Sequence, residues 1–483
     1  MVAAAPGDAS DRRVSRCHRL DGMNGAVDLP LGQAELSFTA AGDARVRRSV
    51  LPSGVRVLSE QVPGSRSVTI GFWVAVGSRD EQQADGAHPA TYGSTHFLEH
   101  LLFKGTTSRT ALDIAISFDA VGGEHNALTA KEYTCYYAKV QDRDLPMAVQ
   151  VLADMFTSSL LDPVEFDNER GVILEELSMA GDDPGDVANE RFFEAVLGEH
   201  PLGRPIGGSP ETIRAATREA VWEHYRANYR PQDLVVTVAG AVDHDALVAE
   251  LQAALTRHGW DLAAEGAPVE RRSIAPAVLA PGTALTVVPR PTEQVNLLLG
   301  VPGLVATDER RSTMSVLNAI FGSGMSSRLF QQVRERRGLA YAVYSFAPGY
   351  SDAGLFGMYA GCAPAKAGTV AALMRTELER VAEHGVTADE LRRAAGQLSG
   401  ASALALEDSD TRMSRLGRAE LTLGEFIDLD EALRRIALVT ADDVQELAAD
   451  LAARPFSLVA VGAADESAFR GAVDEIAPST DVA

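Results

Sequence analysis

Residues 93–106 read GSTHFLEHLLFKGT. His96 and His100 stand four apart, so on a helix both imidazoles project from one face, about one turn from each other, and can reach a single metal ion. Glu99 projects near the same face, where its carboxylate can take a proton from water at the metal instead of ligating it. The order HxxEH inverts the commoner HExxH.

Two histidines leave a catalytic zinc one protein ligand short, and two histidines with one glutamate form an established open site. A second helix supplies carboxylates. Asp162-Pro163-Val164-Glu165 places an aspartate cap, a proline at the first helical position and a glutamate three after the cap, and the helix it opens carries Glu169, Glu175 and Glu176. Glu169 and Glu176 share a face but lie about 10 Å apart along the axis. Only one of them can touch the metal, and the other can orient a histidine from behind it. Glu175 points about 100° away, toward solvent.

Around these helices the chain repeats an order of elements. Val50 to Leu58 reads as strand, turn and strand, and Ser67 to Val76, rich in β-branched and aromatic residues, as a buried strand. A helix around His96 and another through Asp113 to Ala120 precede a hairpin over Asn126 to Val140. A helix over Asp144 to Ser158, the Asp162-capped helix, a strand from Leu234 to Val242 and a helix from His244 to Gly259 complete the half. Residues 262–284, with three prolines and no periodicity, read as a linker. Strands at 285–301, 339–347 and 353–361 and helices at 308–321, 365–384 and 387–404 then replay the order. The expected fold is α+β, with two duplicated domains, each a mainly antiparallel sheet covered by helices. The expected parts are a disordered polar extension over 1–45, a metal-bearing domain over 46–261, the linker, and a homologous second domain over 285–483.

GSTHFLEHLLFKGT together with ERGVILEEL at 169–177 resembles the insulinase/pitrilysin family of inverted-motif zinc metallopeptidases, and within it the branch typified by mitochondrial processing peptidase. The family's third ligand lies 76 residues after the second histidine, which is Glu176 here. The resemblance implies one Zn2+ per chain held by His96, His100 and Glu176, Glu99 as general base, and Glu169 as a supporting residue. It also implies that the strand with Asn126 and Ala127 binds peptide by strand addition beside the scissile bond. His125 is incidental in this reading. In the second half, Arg334 and Tyr341 match by their spacing an Arg/Tyr pair that holds the substrate carbonyl and stabilises the developing oxyanion. Family chains of this length usually form homodimers in which the partner completes each metal site, so a homodimer with shared active sites is expected. Asp186 and Glu190 fall where processing peptidases read a basic side chain. Residues 321–327 resemble a shortened substrate-gathering loop.

The function that follows is zinc-dependent hydrolysis of peptides or short unfolded segments. The alternative is a non-catalytic scaffold like the family's core subunits of a respiratory complex, which normally lose part of HxxEH or the distal glutamate. The chain of 483 residues has a net charge of -23, which argues against nucleic acid as a partner and leaves basic peptides open. No apolar run approaches the ~18 residues that span a bilayer. Three scattered cysteines fit a reducing compartment. No apolar stretch follows Arg12, Arg13, Arg16 and Arg19, and Asp8, Asp11 and Asp21 interrupt any transit-peptide pattern, so a cytoplasmic location is expected.

Overall fold

The computed structural model describes residues 25–83, 91–280, 282–470 and 472. The first half supplies strands β1 (Ala26–Asp28), β2 (Glu35–Ala40), β3 (Ala44–Val50), β4 (Arg56–Gln61), β5 (Ser67–Val74), β6 (Glu124–Thr129), β7 (Thr134–Gln141) and β8 (Val235–Gly240). Its helices are α1 (Ser94–Leu102), α2 (Ala111–Asp119), α3 (Leu145–Ser158), α4 (Pro163–Asp182), α5 (Pro184–Leu197), α6 (Pro210–Ala215), α7 (Arg218–Asn228) and α8 (His244–Arg257). Beyond residues 262–284, whose described residues carry neither helix nor strand, come β9 (Leu285–Pro289), β10 (Val295–Pro302), β11 (Ala340–Phe346), β12 (Leu355–Cys362), β13 (Glu425–Ile427) and β14 (Ser457–Gly462). The helices there are α9 (Arg311–Phe321), α10 (Ala367–His384), α11 (Ala388–Ala405), α12 (Ser409–Arg418), α13 (Leu429–Leu438) and α14 (Ala441–Ala452). Among the described residues no helix is long and apolar enough to cross a membrane.

Two sheets organise two lobes. The first runs β2-β3-β4-β8-β5-β7-β6 and the second β11-β12-β10-β14-β9. The second copies the last five strands of the first in mirror listing: β6, β7, β5, β8 and β4 correspond to β11, β12, β10, β14 and β9. In each lobe a single pair is parallel, β4 with β8 and β9 with β14, while every other pair is antiparallel. The duplication read from element order is therefore a duplication of topology.

Each sheet is covered on one face by its own helices and on the other by a helix from the opposite half. That is why β5 is buried on both faces and reads as a continuous apolar run. Helix α12 lies across β4, β5 and β8, and its Met413 and Leu416 pack with Trp73, Val235 and Ala239. Reciprocally, α5 lies across β9, β10 and β14, and Phe192 and Val196 pack with Leu298, Val459 and Val461. The approach is close enough to demand glycine: a Cβ on Gly417 would come within 2.5 Å of the Trp73 ring. Charges in this seam are paired, as buried charges must be. Arg48 donates to both carboxylate oxygens of Glu420 at 3.0 Å, with both side chains fully buried.

Two expectations change. Residues 25–45 are not an unstructured extension: β1 pairs with β13, with Ala26 opposite Ile427, and β2 pairs with β3 while burying Leu36, Phe38 and Ala40. The remainder of the expected extension, 1–24, lies outside the described residues. The partner of β1 is about 400 positions away in the chain, and no local pattern announces such a pairing. The boundary between halves also differs, because α5, α12 and β13 each complete the lobe opposite to the one their sequence position suggests.

Candidate metal centre

Helix α1 starts at Gly93, whose φ of +84° and whose contact with Ile213 (2.5 Å from an added Cβ) both require glycine. No side chain of the cap residue closes that end. Instead the buried Glu81 carboxylate accepts from the Gly93 and Thr95 amides at 2.8 and 2.9 Å, a good match of negative charge to a helix N-terminus. Phe97, Leu98, Leu101 and Leu102 are fully buried, and Phe97 stacks on Phe166 of α4 at 4.3 Å. This packing sets the polar face of α1 against the polar face of α4.

His96, His100 and Glu176 converge there, with one ligand atom from each all within 4.8 Å of one another. The two Nε2 atoms are 3.3 Å apart, and Glu176 Oε2 lies 3.5 Å from His100 Nε2 and 3.8 Å from His96 Nε2. Donors about 2.0–2.2 Å from a tetrahedral zinc lie roughly 3.3–3.6 Å from each other, so the set fits that ion. Burial first, and then neighbouring His100, holds His96 down at about 4. Its ring is therefore neutral at ordinary pH, as a ligand must be.

The supporting atoms follow the same order. His100 Nδ1 is 3.0 Å from Glu169 Oε2, and Lys104 Nζ is 2.7 Å from Glu169 Oε1. A lysine, a buried carboxylate and an imidazole thus form a chain that orients His100 Nε2 toward Glu176. His96 Nδ1 is buried with no hydrogen-bond partner and packs against Gly207, where a Cβ would lie 3.6 Å away. Glu99 makes no contact with the histidine nitrogens. Its Oε2 accepts from the Thr129 hydroxyl on β6, and burial raises its carboxyl above the usual range. A half-buried carboxylate so raised is suited to accepting a proton.

The other predicted residues fall on three surfaces. Asn126 and Ala127 lie on β6, which among the described residues pairs only with β7 and so leaves one edge open. Asn126 points outward and Ala127 inward against the core. His125 stacks on Phe118 at 4.3 Å and takes no part in the cluster. Arg334 and Tyr341 lie in the other lobe and are joined to each other: Arg334 Nη1 donates to the Tyr341 carbonyl at 3.0 Å and its guanidinium covers the Tyr341 ring at 4.5 Å. Tyr341 is 76% exposed, and among the described residues no bond or ring contact links this pair to His96, Glu99, His100 or Glu176. Asp186 and Glu190 lie on α5, one turn apart. Glu190 lines a cavity of about 650 Å³ between the lobes, whereas Asp186 is exposed at the start of the helix.

Sequence reasoning missed Thr129, Lys104 and Glu81. The first two had a signal: Thr129 shares a strand face with Ala127, and Lys104 lies four after His100, just past the end of α1. Glu81 had none, since only the fold brings it beneath α1.

Residues 56–209 match the family described as "Insulinase (Peptidase family M16)" and residues 215–398 the one described as "Peptidase M16 inactive domain". The chain is 50% identical to an uncharacterized zinc protease of Streptomyces coelicolor over 421 residues, 87% of this chain and 90% of that one. It is 36% identical to the uncharacterized zinc protease YmxG of Bacillus subtilis over 416 residues, 86% of this chain and 98% of that one. Among solved structures, a peptidase M16 inactive domain from Pseudomonas fluorescens superimposes with a TM-score of 0.73 at 19% identity, covering 89% of this chain and 98% of that one. A protease from Helicobacter pylori gives 0.73 at 21%, covering 89% and 99%. The fold is thus shared beyond recognisable sequence, and on the strength of its closer relatives the chain belongs to the insulinase family of zinc peptidases.

Proposed function

We propose that the chain is a zinc endopeptidase acting on peptides or short unfolded segments, with His96, His100 and Glu176 holding one Zn2+ and Glu99 serving as general base. The observation that carries this reading is the division of labour on α1: both histidines meet Glu176 within 4.8 Å, while Glu99 between them is bonded elsewhere, to Thr129. When bound, Zn2+ supplies Lewis acidity, bringing the pKa of a water down toward ~7 and polarising the substrate carbonyl.

The chain's own residues do the rest. Glu99, raised by burial, takes the proton of the attacking water and passes it to the leaving amine. Thr129 holds the carboxylate in place and, being on β6, ties the base to the strand that binds substrate. The open edge of β6 offers main-chain groups to an extended peptide, a mode that accepts many sequences, with Asn126 and Ala127 beside the bond to be cut. Glu169, neutralised by Lys104 at 2.7 Å, keeps His100 in the tautomer that presents Nε2. Arg334 and Tyr341, linked to each other and exposed on the second lobe, complete the site of a second copy in a homodimer by holding the carbonyl and stabilising the oxyanion. Asp186 is free to meet a basic side chain of the peptide; Glu190 shares its charge with Lys131.

The test is cleavage of a mixed peptide library, read by mass spectrometry, with zinc measured on the same sample. One zinc per chain and cleavage abolished by a chelator are expected, and Glu99→Gln should retain zinc and lose about 10²–10⁴-fold in rate. Cleavage by Glu99→Gln at the wild-type rate rejects Glu99 as the base. Zinc binding with no cleavage of any peptide supports the scaffold alternative.

A further inference from the structure

The cavity of about 650 Å³ between the lobes adjoins the metal centre from two sides. Thr129 in its wall holds Glu99, and Gly207 in its wall packs against His96. A peptide lying along β6 therefore passes its mouth. The chain carries a net charge of -23, yet the charged groups of this wall lean the other way. Lys131, Arg204, Arg418, Glu132 and Glu190 line it. Glu132 is occupied by Arg79 and Ser351, and Arg204 by the Ser78, Arg79 and Glu81 carbonyls.

That leaves two cations facing one carboxylate. Lys131 is 9% exposed, and its ammonium has three donors but among the described residues one acceptor, the Arg204 carbonyl at 2.7 Å, with the Phe193 ring 4.7 Å away. Glu190 attracts it but forms no ion pair with it. The Arg418 guanidinium, at the end of α12, has no hydrogen bond, ion pair or ring contact among the described residues, and its charge acts on the Tyr133 hydroxyl in the same wall. A nearly buried ammonium with donors to spare and an unpaired guanidinium on the same wall form a site for an anion. A peptide held by strand addition can present a carboxylate there in two ways: an aspartate or glutamate side chain, or the C-terminus of a short peptide.

We propose that this cavity binds a carboxylate of the peptide being cleaved, through Lys131 and Arg418, and so selects acidic or C-terminally free substrates. The proposal rests on the peptidase reading above. Lys131, in the turn between β6 and β7, and Arg418, delivered by the exchanged helix α12, line one cavity only because the lobes exchange helices. Selection thus depends on both halves of one chain.

The experiment uses pairs of peptides differing only in charge. One arm compares glutamate with glutamine at a position flanking the cleaved bond, and the other compares a free C-terminus with its amide. The wild-type chain should cleave the carboxylate form of one arm about tenfold faster or more in kcat/KM, as a charge-assisted hydrogen bond allows, and the arm that responds identifies the source. K131M and R418Q should each bring that ratio toward one, and K131R should keep it. Because the ratio is internal to each variant, partial loss of fold does not imitate the result, and the exposed Arg418 can be changed without opening the core. Ratios near one for the wild type in both arms, or an undiminished ratio in both K131M and R418Q, overturn the proposal. A chain that cleaves none of the peptides overturns the peptidase reading instead. Fluorescence anisotropy of the same pairs on the E99Q chain then decides this one: tighter binding of the carboxylate form that K131M abolishes supports it, and equal binding of the two forms rejects it.

Discussion

Helices α1 and α9 occupy the same place in the two lobes, each beside the edge strand of its sheet, yet only α1 gathers groups that can hold a metal. Ser315, Asn318 and Ala319 stand on α9 where His96, Glu99 and His100 stand on α1. One contact survives the difference. Asn318 Oδ1 accepts from the Ser345 hydroxyl on β11 at 2.6 Å, just as Glu99 accepts from Thr129 on β6. Bonding a helix oxygen to an edge-strand hydroxyl is therefore part of the duplicated scaffold. The chemistry is an addition: an amide cannot take a proton, and serine and alanine offer no imidazole. The second lobe is free instead to carry Arg334 and Tyr341 at its own open edge.

Stripping α4 of its contribution should make the first lobe most like the second. Glu176→Gln removes the carboxylate that, among the described residues, alone lies within reach of both histidines, and zinc well below one per chain with cleavage abolished is expected by metal analysis and peptide assay. Full zinc in this variant would mean that another group is the third ligand.

Whether the lobes of different copies cooperate is tested by complementation. Tyr341→Phe should lower kcat by about 10²-fold or more, as loss of an oxyanion donor does. Mixing it with Glu99→Gln, each inactive alone, should restore about a quarter of wild-type activity in a shared-site homodimer, since random exchange leaves one intact site in each mixed dimer. No restoration after confirmed subunit exchange would assign both residues to the site of one chain.

A smaller change should come from behind the metal. Glu169→Gln keeps the shape beside His100 but breaks the chain from Lys104, and zinc affinity measured by competition with a chelator should fall about 10–100-fold. Unchanged affinity would reduce Glu169 to a packing residue.

The smallest effect concerns the N-terminus of α1, where the Glu81 carboxylate accepts from the Gly93 and Thr95 amides, whereas at α9 the Asp308 carboxylate accepts from the Arg310 amide. Burial pushes the Glu81 carboxyl up to about 7, against the opposing pull of its two backbone bonds. Between its unfolded value near 4.5 and 7, the folded chain holds a proton that the unfolded chain has released. The stability tied to this group is therefore complete below the unfolded value and is lost as pH rises through about 7. Glu81→Gln should flatten that decline in Tm measured from pH 4.5 to 8. A parallel decline in the variant would exclude Glu81 as its source.

Much of the candidate site was legible because it is local. The four-residue spacing of His96 and His100 and the capped start of α4 at Asp162 are statements about one helix each, and helical geometry turns spacing directly into a shared face. Duplication was legible as well, since alternation and capping repeat in order. The first strands were not. In β2 the inward set is only Leu36, Phe38 and Ala40, and β1 has no partner nearer than β13.

What the sequence by itself determined is the set of groups: two imidazoles, a glutamate between them and distal carboxylates at helical spacings, on a chain whose halves repeat. The tertiary structure alone decided which atoms meet. It seats Glu81 under α1, bonds Glu99 to Thr129, and sends α5 and α12 across to the opposite sheets, so that Lys131 and Arg418 share a cavity. The physical reason is the range of the interactions: periodicity along a helix is set by the covalent chain, whereas contacts between residues hundreds of positions apart exist only once both sheets have been covered.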